Sequence, residues 1–157
     1  MTMFELKFRP SFELISVVRR FVSDFYKNML NDPDAVSRVA LATHELLENA
    51  VKYSIDGGTV LSITVEHGES ESVVTIRISN RASPEHIKAI NFIFEEMKTQ
   101  SDPFAHYQFA MERSAKLKEG SGLGLIRVRA EGEMTMSHTV NEDTVCIFAQ
   151  TTVGRPA

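Results

Sequence analysis

The sequence predicts an α+β protein: a two-layer sandwich in which one mixed, mostly antiparallel sheet carries helices on a single face. Three observations lead there. Stretches with strict alternation of apolar and polar residues come in adjacent pairs, and consecutive strands joined by short turns are antiparallel. The stretches with helical periodicity are amphipathic, so each has one side to bury against a sheet. The order is β-α-α-β-β-α-α-α-β-β, without the strict alternation of strand and helix that a doubly wound dinucleotide fold needs. At 157 residues, with 43% hydrophobic and 24% charged, residues 1–157 suit a single domain with its own core.

Each element has a local reason. Phe4-Glu5-Leu6-Lys7-Phe8-Arg9 alternates and reads as a half-buried strand. Pro10-Ser11 ends it, and Ser11 is an N-cap for a helix running to about Leu30. Leu14, Val18, Phe21, Phe25 and Met29 are the expected buried stripe of that helix. Asp32 caps a second helix, with Pro33 at its first position, and that helix runs to about Ser54. Asp56-Gly57-Gly58 is expected to turn the chain. Thr59 to His67 and Ser72 to Asn80 form a hairpin around Gly68-Glu69-Ser70-Glu71. Leu61, Ile63 and Val65, with Val74, Ile76 and Ile78, are its core side. Ser83-Pro84-Glu85 opens a helix to Lys98 whose stripe is Ile87, Ile90, Phe94 and Met97. Asp102-Pro103 is another capped start, followed by a weaker helical pattern to Lys118. A short helix over Leu123 to Ala130 precedes a closing hairpin, Met134 to Val140 and Thr144 to Thr152, around Asn141-Glu142-Asp143.

Composition bounds the function. With 17 Lys+Arg against 21 Asp+Glu, the net charge of −4 argues against direct nucleic-acid binding through phosphate neutralisation. One Cys excludes a disulfide framework and a cysteine-built zinc site. Nothing approaches the roughly 20 apolar residues of a membrane span. Met1-Thr2-Met3-Phe4-Glu5 lacks a basic-then-apolar signal pattern. The expectation is a cytoplasmic protein without membrane contact.

Two segments carry chemistry. On the second helix, at about 100° per residue, Val36, Val39, Ala40, Thr43, Leu46, Leu47, Ala50 and Ser54 share one arc. Arg38, Glu45, Asn49 and Lys52 share the opposite one. A solvated face is one account of the second arc. The other account starts from Asn49, a mediocre helix former deep in a helix. An amide oxygen there is a hard ligand suited to Mg²⁺, and a carboxylate one turn away can take a proton. The second segment is Glu119-Gly120-Ser121-Gly122-Leu123-Gly124-Leu125. Alternate glycines before a helix can bring backbone N–H groups to a phosphate, and they also describe a plain tight loop.

Glu45-Leu46-Leu47-Glu48-Asn49-Ala50-Val51-Lys52-Tyr53-Ser54 resembles the N box of the Bergerat-fold ATPases, the superfamily of gyrase, histidine kinases and the MutL repair proteins. Gly120-Ser121-Gly122-Leu123-Gly124-Leu125 is similar to its second glycine box. Phe8-Arg9-Pro10-Ser11 and Val17-Val18-Arg19-Arg20-Phe21-Val22 resemble the opening of the bacterial anti-sigma factor serine/threonine kinases. The resemblance implies binding of ATP and Mg²⁺. It implies Glu45 as general base, Asn49 as Mg²⁺ ligand, Lys52 near the phosphates and Tyr53 beside the adenine. Gly120, Ser121, Gly122, Leu123 and Gly124 become the phosphate cradle. The family's Asp-x-Gly-x-Gly corresponds to Asn80-Arg81-Ala82-Ser83-Pro84, so Asn80 stands at the adenine-reading position and Ala82 replaces a glycine in that loop. A neutral amide makes a weaker acceptor than a carboxylate.

The implied activity is that of a protein serine/threonine kinase that binds a sigma factor or similar regulator and phosphorylates a small antagonist protein; a homodimer stays open. Two alternatives remain: a non-catalytic interaction module with a degenerate nucleotide site, and a histidine-kinase-like catalytic domain acting in trans. Among lesser candidates, His44 lies on a helix flank and Cys146 reads as a small buried hydrophobe. His86, His106 and His138 have no ligand-like spacing. Thr99 to Lys118 is either a lid or an ordinary surface helix.

Overall fold

The computed structural model describes residues 1–9, 11–116 and 122–154. The elements are β1 (Thr2–Phe8), α1 (Phe12–Met29), α2 (Pro33–Tyr53), β2 (Ser54–His67), β3 (Glu71–Ala82), α3 (Pro84–Thr99), α4 (Pro103–Lys116), α5 (Leu123–Glu131), β4 (Thr135–Asn141) and β5 (Thr144–Gly154). The strands form one sheet in the order β1-β2-β3-β5-β4, and every pairing is antiparallel. This is the expected two-layer α+β sandwich.

The alternation seen in the sequence is the reason the sheet has two different faces. Leu61, Ile63, Val65, Val74 and Ile76 are fully buried beneath the helices. Arg77 lies on the other face, its guanidinium 5.6 Å from the centre of the Phe148 ring across the β3–β5 pair. The caps also act as their residue types dictate. Ser11 Oγ accepts from the Leu14 N–H at 3.1 Å and Asp32 Oδ1 from the Asp34 N–H at 3.0 Å. Asp102 Oδ1 accepts from the Phe104 N–H at 3.0 Å, and α4 is a regular 14-residue helix after it.

Several expectations need correction. The buried side of α1 is Ile15, Val18, Val22 and Tyr26, whereas Phe21 is 49% exposed. The helix serves two neighbours, which rotates its stripe. Its centre faces α2, where the Tyr26 hydroxyl meets Thr43 Oγ1 at 2.9 Å. Its flank brings Phe21 and Phe25 edge-on to Phe4 of β1. Asp56-Gly57-Gly58 is no separate turn. The chain passes from α2 straight into β2, and these residues form an irregularity between Ser54 and Thr59. Gly57 takes a φ of +76°, and Asp56 Oδ1 accepts from the Gly58 N–H at 2.9 Å. Finally, β3 includes Asn80 as expected but continues through Arg81 and Ala82 instead of giving way to a loop, because Arg81 pairs with Thr144 on β5 and Ala82 with Ser54 on β2.

Among the described residues, no helix is long and apolar enough to cross a membrane.

Candidate functional site

The site is built where α2 passes under the start of α5. Glu45 sits in mid-α2 with its side chain 16% exposed, and Arg127 Nη1 donates to its Oε1 at 2.9 Å. Arg127 Nε also donates to Glu131 one turn along α5, at 2.8 Å. Arg38, Glu45 and Asn49 of the polar arc are therefore not on a solvated face, whereas Lys52 at its end is exposed. The covered part lies against α5 and the turn beyond, where Arg38 reaches the Gly132 carbonyl at 3.3 Å and Glu133 at 3.0 Å. Burial raises the Glu45 carboxyl above its ordinary value, and the Arg127 charge pulls the other way without cancelling it.

Gly124 packs closely against the Glu45 side chain. A Cβ at that position would stand 3.0 Å from Glu45 Oε2. Gly122 is the N-cap of α5, with φ +69° and no side-chain cap, and a Cβ there would collide with Ile93 of α3. Leu123 is partly buried against the core. Gly120 and Ser121 lie outside the described residues.

Asn49, Tyr53, His86, Ile90, Ile93 and Gly122 line a small, partly open depression of about 30 Å³ between α2, α3 and the start of α5. Its base is occupied by an aromatic pair: the Tyr53 and His86 rings stack at 3.7 Å and 10°. His86 is the third residue of α3, its backbone N–H held by Ser83 Oγ at 3.2 Å. Burial, then the nearby Lys52 charge, lower the His86 pKa to about 4.

The structure thus brings Glu45, Asn49, Tyr53, Gly122 and Gly124 together. Lys52, Asn80 and Ala82 do not line that depression. Lys52 lies 5.3 Å from the centre of the Tyr53 ring but borders a separate cavity of about 460 Å³ between α1 and α2, with Arg19, His44 and Glu48. Asn80 faces inward from β3, only 9% exposed, and its Nδ2 donates to the Arg81 carbonyl at 3.2 Å. It borders an open groove with Lys7, Asp56 and Thr144 rather than the depression beside Asn49. Ala82 is buried, and its N–H donates to the Asp143 carbonyl at 2.8 Å.

Sequence reading missed Arg127 and His86. Arg127 has a local sign, the i,i+4 pair with Glu131, but its reach to Glu45 spans the fold. His86 follows a capped Ser-Pro start, which says where α3 begins and nothing about which ring it meets.

The residues suit the two ends of an ATP·Mg²⁺ unit differently. Asn49 and the glycine-bearing start of α5 offer an amide oxygen and a close backbone approach, which fit a metal and phosphates. A space of about 30 Å³ holds roughly one water. His86 covers the Tyr53 face, and the space beside the pair has no room for a purine.

No family model matches the chain, and no curated protein matches it by sequence. A solved structure does: the crystal structure of the SiaB-SiaC complex from Pseudomonas aeruginosa contains a chain similar to this one with a TM-score of 0.67 and 14% identity, over 96% of this chain and 89% of that chain. The likeness is one of fold, and it extends over nearly all the elements described above.

Proposed function

We propose that the chain is an ATP-dependent regulator of the anti-sigma factor kinase type. It binds a sigma factor or comparable regulator and phosphorylates a serine or threonine of a small antagonist protein. The observation that carries this reading is the meeting of two motifs far apart in sequence, with Glu45 and Asn49 of α2 set against Gly124 and Gly122 of α5. ATP with Mg²⁺ supplies the transferable phosphoryl group and neutralises its charge. Asn49 would hold the metal through its amide oxygen, and the glycine segment would turn its backbone toward the phosphates. Glu45 takes the proton of the attacking hydroxyl on its carboxylate. Burial makes that carboxylate a better base than an exposed one, and Arg127, anchored on Glu131, keeps it oriented.

Calorimetry with ATP, ADP and GTP, with and without Mg²⁺, tests the reading. Adenine nucleotides are expected to bind with Mg²⁺ and to bind much more weakly in Asn49→Ala. Glu45→Ala is expected to bind ATP as the parent does and to lose roughly 10²- to 10⁴-fold in phosphate transfer, the usual worth of a general base. Absence of heat and of thermal stabilisation at high nucleotide concentration overturns it.

The filled base end favours a second reading, an interaction module that binds its partner without transfer. Similarity in fold to a chain from a two-protein complex is compatible with partner binding in either case. Tight partner binding with no phosphate transfer selects the module.

A further inference from the structure

His86 lies flat on the Tyr53 ring, 3.7 Å between centroids and 10° between planes. Aromatic rings and nucleobases stack in this manner. An imidazole is also the five-membered half of a purine. The His86 Nε2 atom is buried with no hydrogen-bond partner. An occupant with every polar atom satisfied would resist displacement, whereas this one gains a hydrogen bond when it reaches water. The remaining space of about 30 Å³ leaves no room for a base beside the imidazole. The ring is neutral, since burial and the Lys52 ammonium both oppose its protonation.

We infer that His86 is an internal stand-in for the purine base: it covers the Tyr53 face in the free protein, moves out to solvent when an adenine nucleotide binds, and thereby weakens that binding. This rests on the nucleotide site proposed above. The phosphate end, at Asn49 and Gly122, is untouched by the exchange. A ligand with phosphates and no base therefore gains nothing from removal of the imidazole.

The test titrates the full chain with Mg²⁺ and either ATP or inorganic tripolyphosphate, using the parent, His86→Ala and His86→Phe. His86→Ala is expected to bind ATP up to about tenfold more tightly, the scale of one aromatic stack that no longer has to be given up, and tripolyphosphate no better. His86→Phe keeps a flat ring without the stranded nitrogen, so it is expected to bind ATP more weakly than the parent. In the parent, saturating ATP is expected to raise the His86 pKa, followed by NMR, from about 4 toward the ordinary histidine value. Equal ATP affinity in parent and His86→Ala with an unmoved His86 pKa overturns the gate and leaves the nucleotide site standing. Weaker binding by His86→Ala also overturns the gate, because the imidazole then helps to hold the ligand. No ATP binding by any of the three, with the fold intact by circular dichroism, overturns site and gate together.

Discussion

Glu45 is held between two demands. Arg127 keeps its carboxylate paired, yet burial lifts its pKa above the ordinary glutamate value. The folded protein therefore holds this proton more tightly than the unfolded chain does. The resulting stability is fully present below the usual carboxylate range and is lost as pH rises through the raised folded value. At neutral pH the ionised side chain works against the fold. Glu45→Gln is accordingly expected to melt a few degrees above the parent at about pH 7, the gap closing at about pH 4. Thermal denaturation across that range checks it, and an equal gap at both ends would show that the charge is not responsible. A destabilising carboxylate retained in a helix is consistent with the proton-accepting role proposed for it.

Among the elements, α4 is fastened rather than free. Glu96 of α3 accepts from Arg113 at 2.6 and 3.1 Å and meets His106 Nε2 at 3.0 Å. His106 is fully buried, and the Arg113 guanidinium lies against the Phe109 and Phe92 rings at 5.5 and 6.0 Å. Burial alone would raise the Glu96 pKa, but the hydrogen bonds from Arg113 and His106 outweigh it and hold the carboxyl low. This fastening persists above the ordinary carboxylate range and is lost as pH falls through the lowered value. Glu96→Ala is expected to cost roughly 1–3 kcal/mol, the scale of leaving the buried His106 nitrogen and the partly buried Arg113 without their acceptor. Hydrogen exchange should then accelerate across α4 before it does in α2. Uniform acceleration in both helices would mean that the network stabilises the whole domain and not this element. The N-caps of α1, α2, α3 and α4 were legible in the sequence because a capping side chain acts within three residues of itself. The Glu96 network was not, since its three members come from two helices with no shared period.

For the molecule as a whole, the sheet was the most legible part. Alternation at Leu61, Ile63 and Val65 and at Val74, Ile76 and Ile78 marks the covered face, because one residue of slippage would expose the entire set. Ile76 lies in the central strand with no exposed surface. Ile76→Ala is expected to destabilise by about 2–5 kcal/mol in chemical denaturation, the range for truncating a buried aliphatic side chain. A loss below about 1 kcal/mol would place the core elsewhere. The site was legible only in part. The spacing of Glu45 and Asn49 follows from one helix, and the glycines from their close approaches. Arg127 on Glu45 and His86 on Tyr53 depend on how α5 and α3 settle against α2, which no local pattern encodes.

The strand order has a consequence for synthesis. β5 lies between β3 and β4, although it is the last of the described elements. Glu71 has its partner in Gly154 and Arg81 in Thr144. On the ribosome, β3 must therefore wait with a bare edge while four further elements emerge. A bare edge is a template for pairing with a neighbouring chain. The β4–β5 hairpin closes locally around Glu142 and Asp143, with Glu142 at a φ of +56°, and can dock as one piece. Translation past Thr144 to Gly154 thus ends the interval in which a nascent chain is most exposed to mispairing. The distant register of β3 and β5 makes their docking the natural slow step of folding.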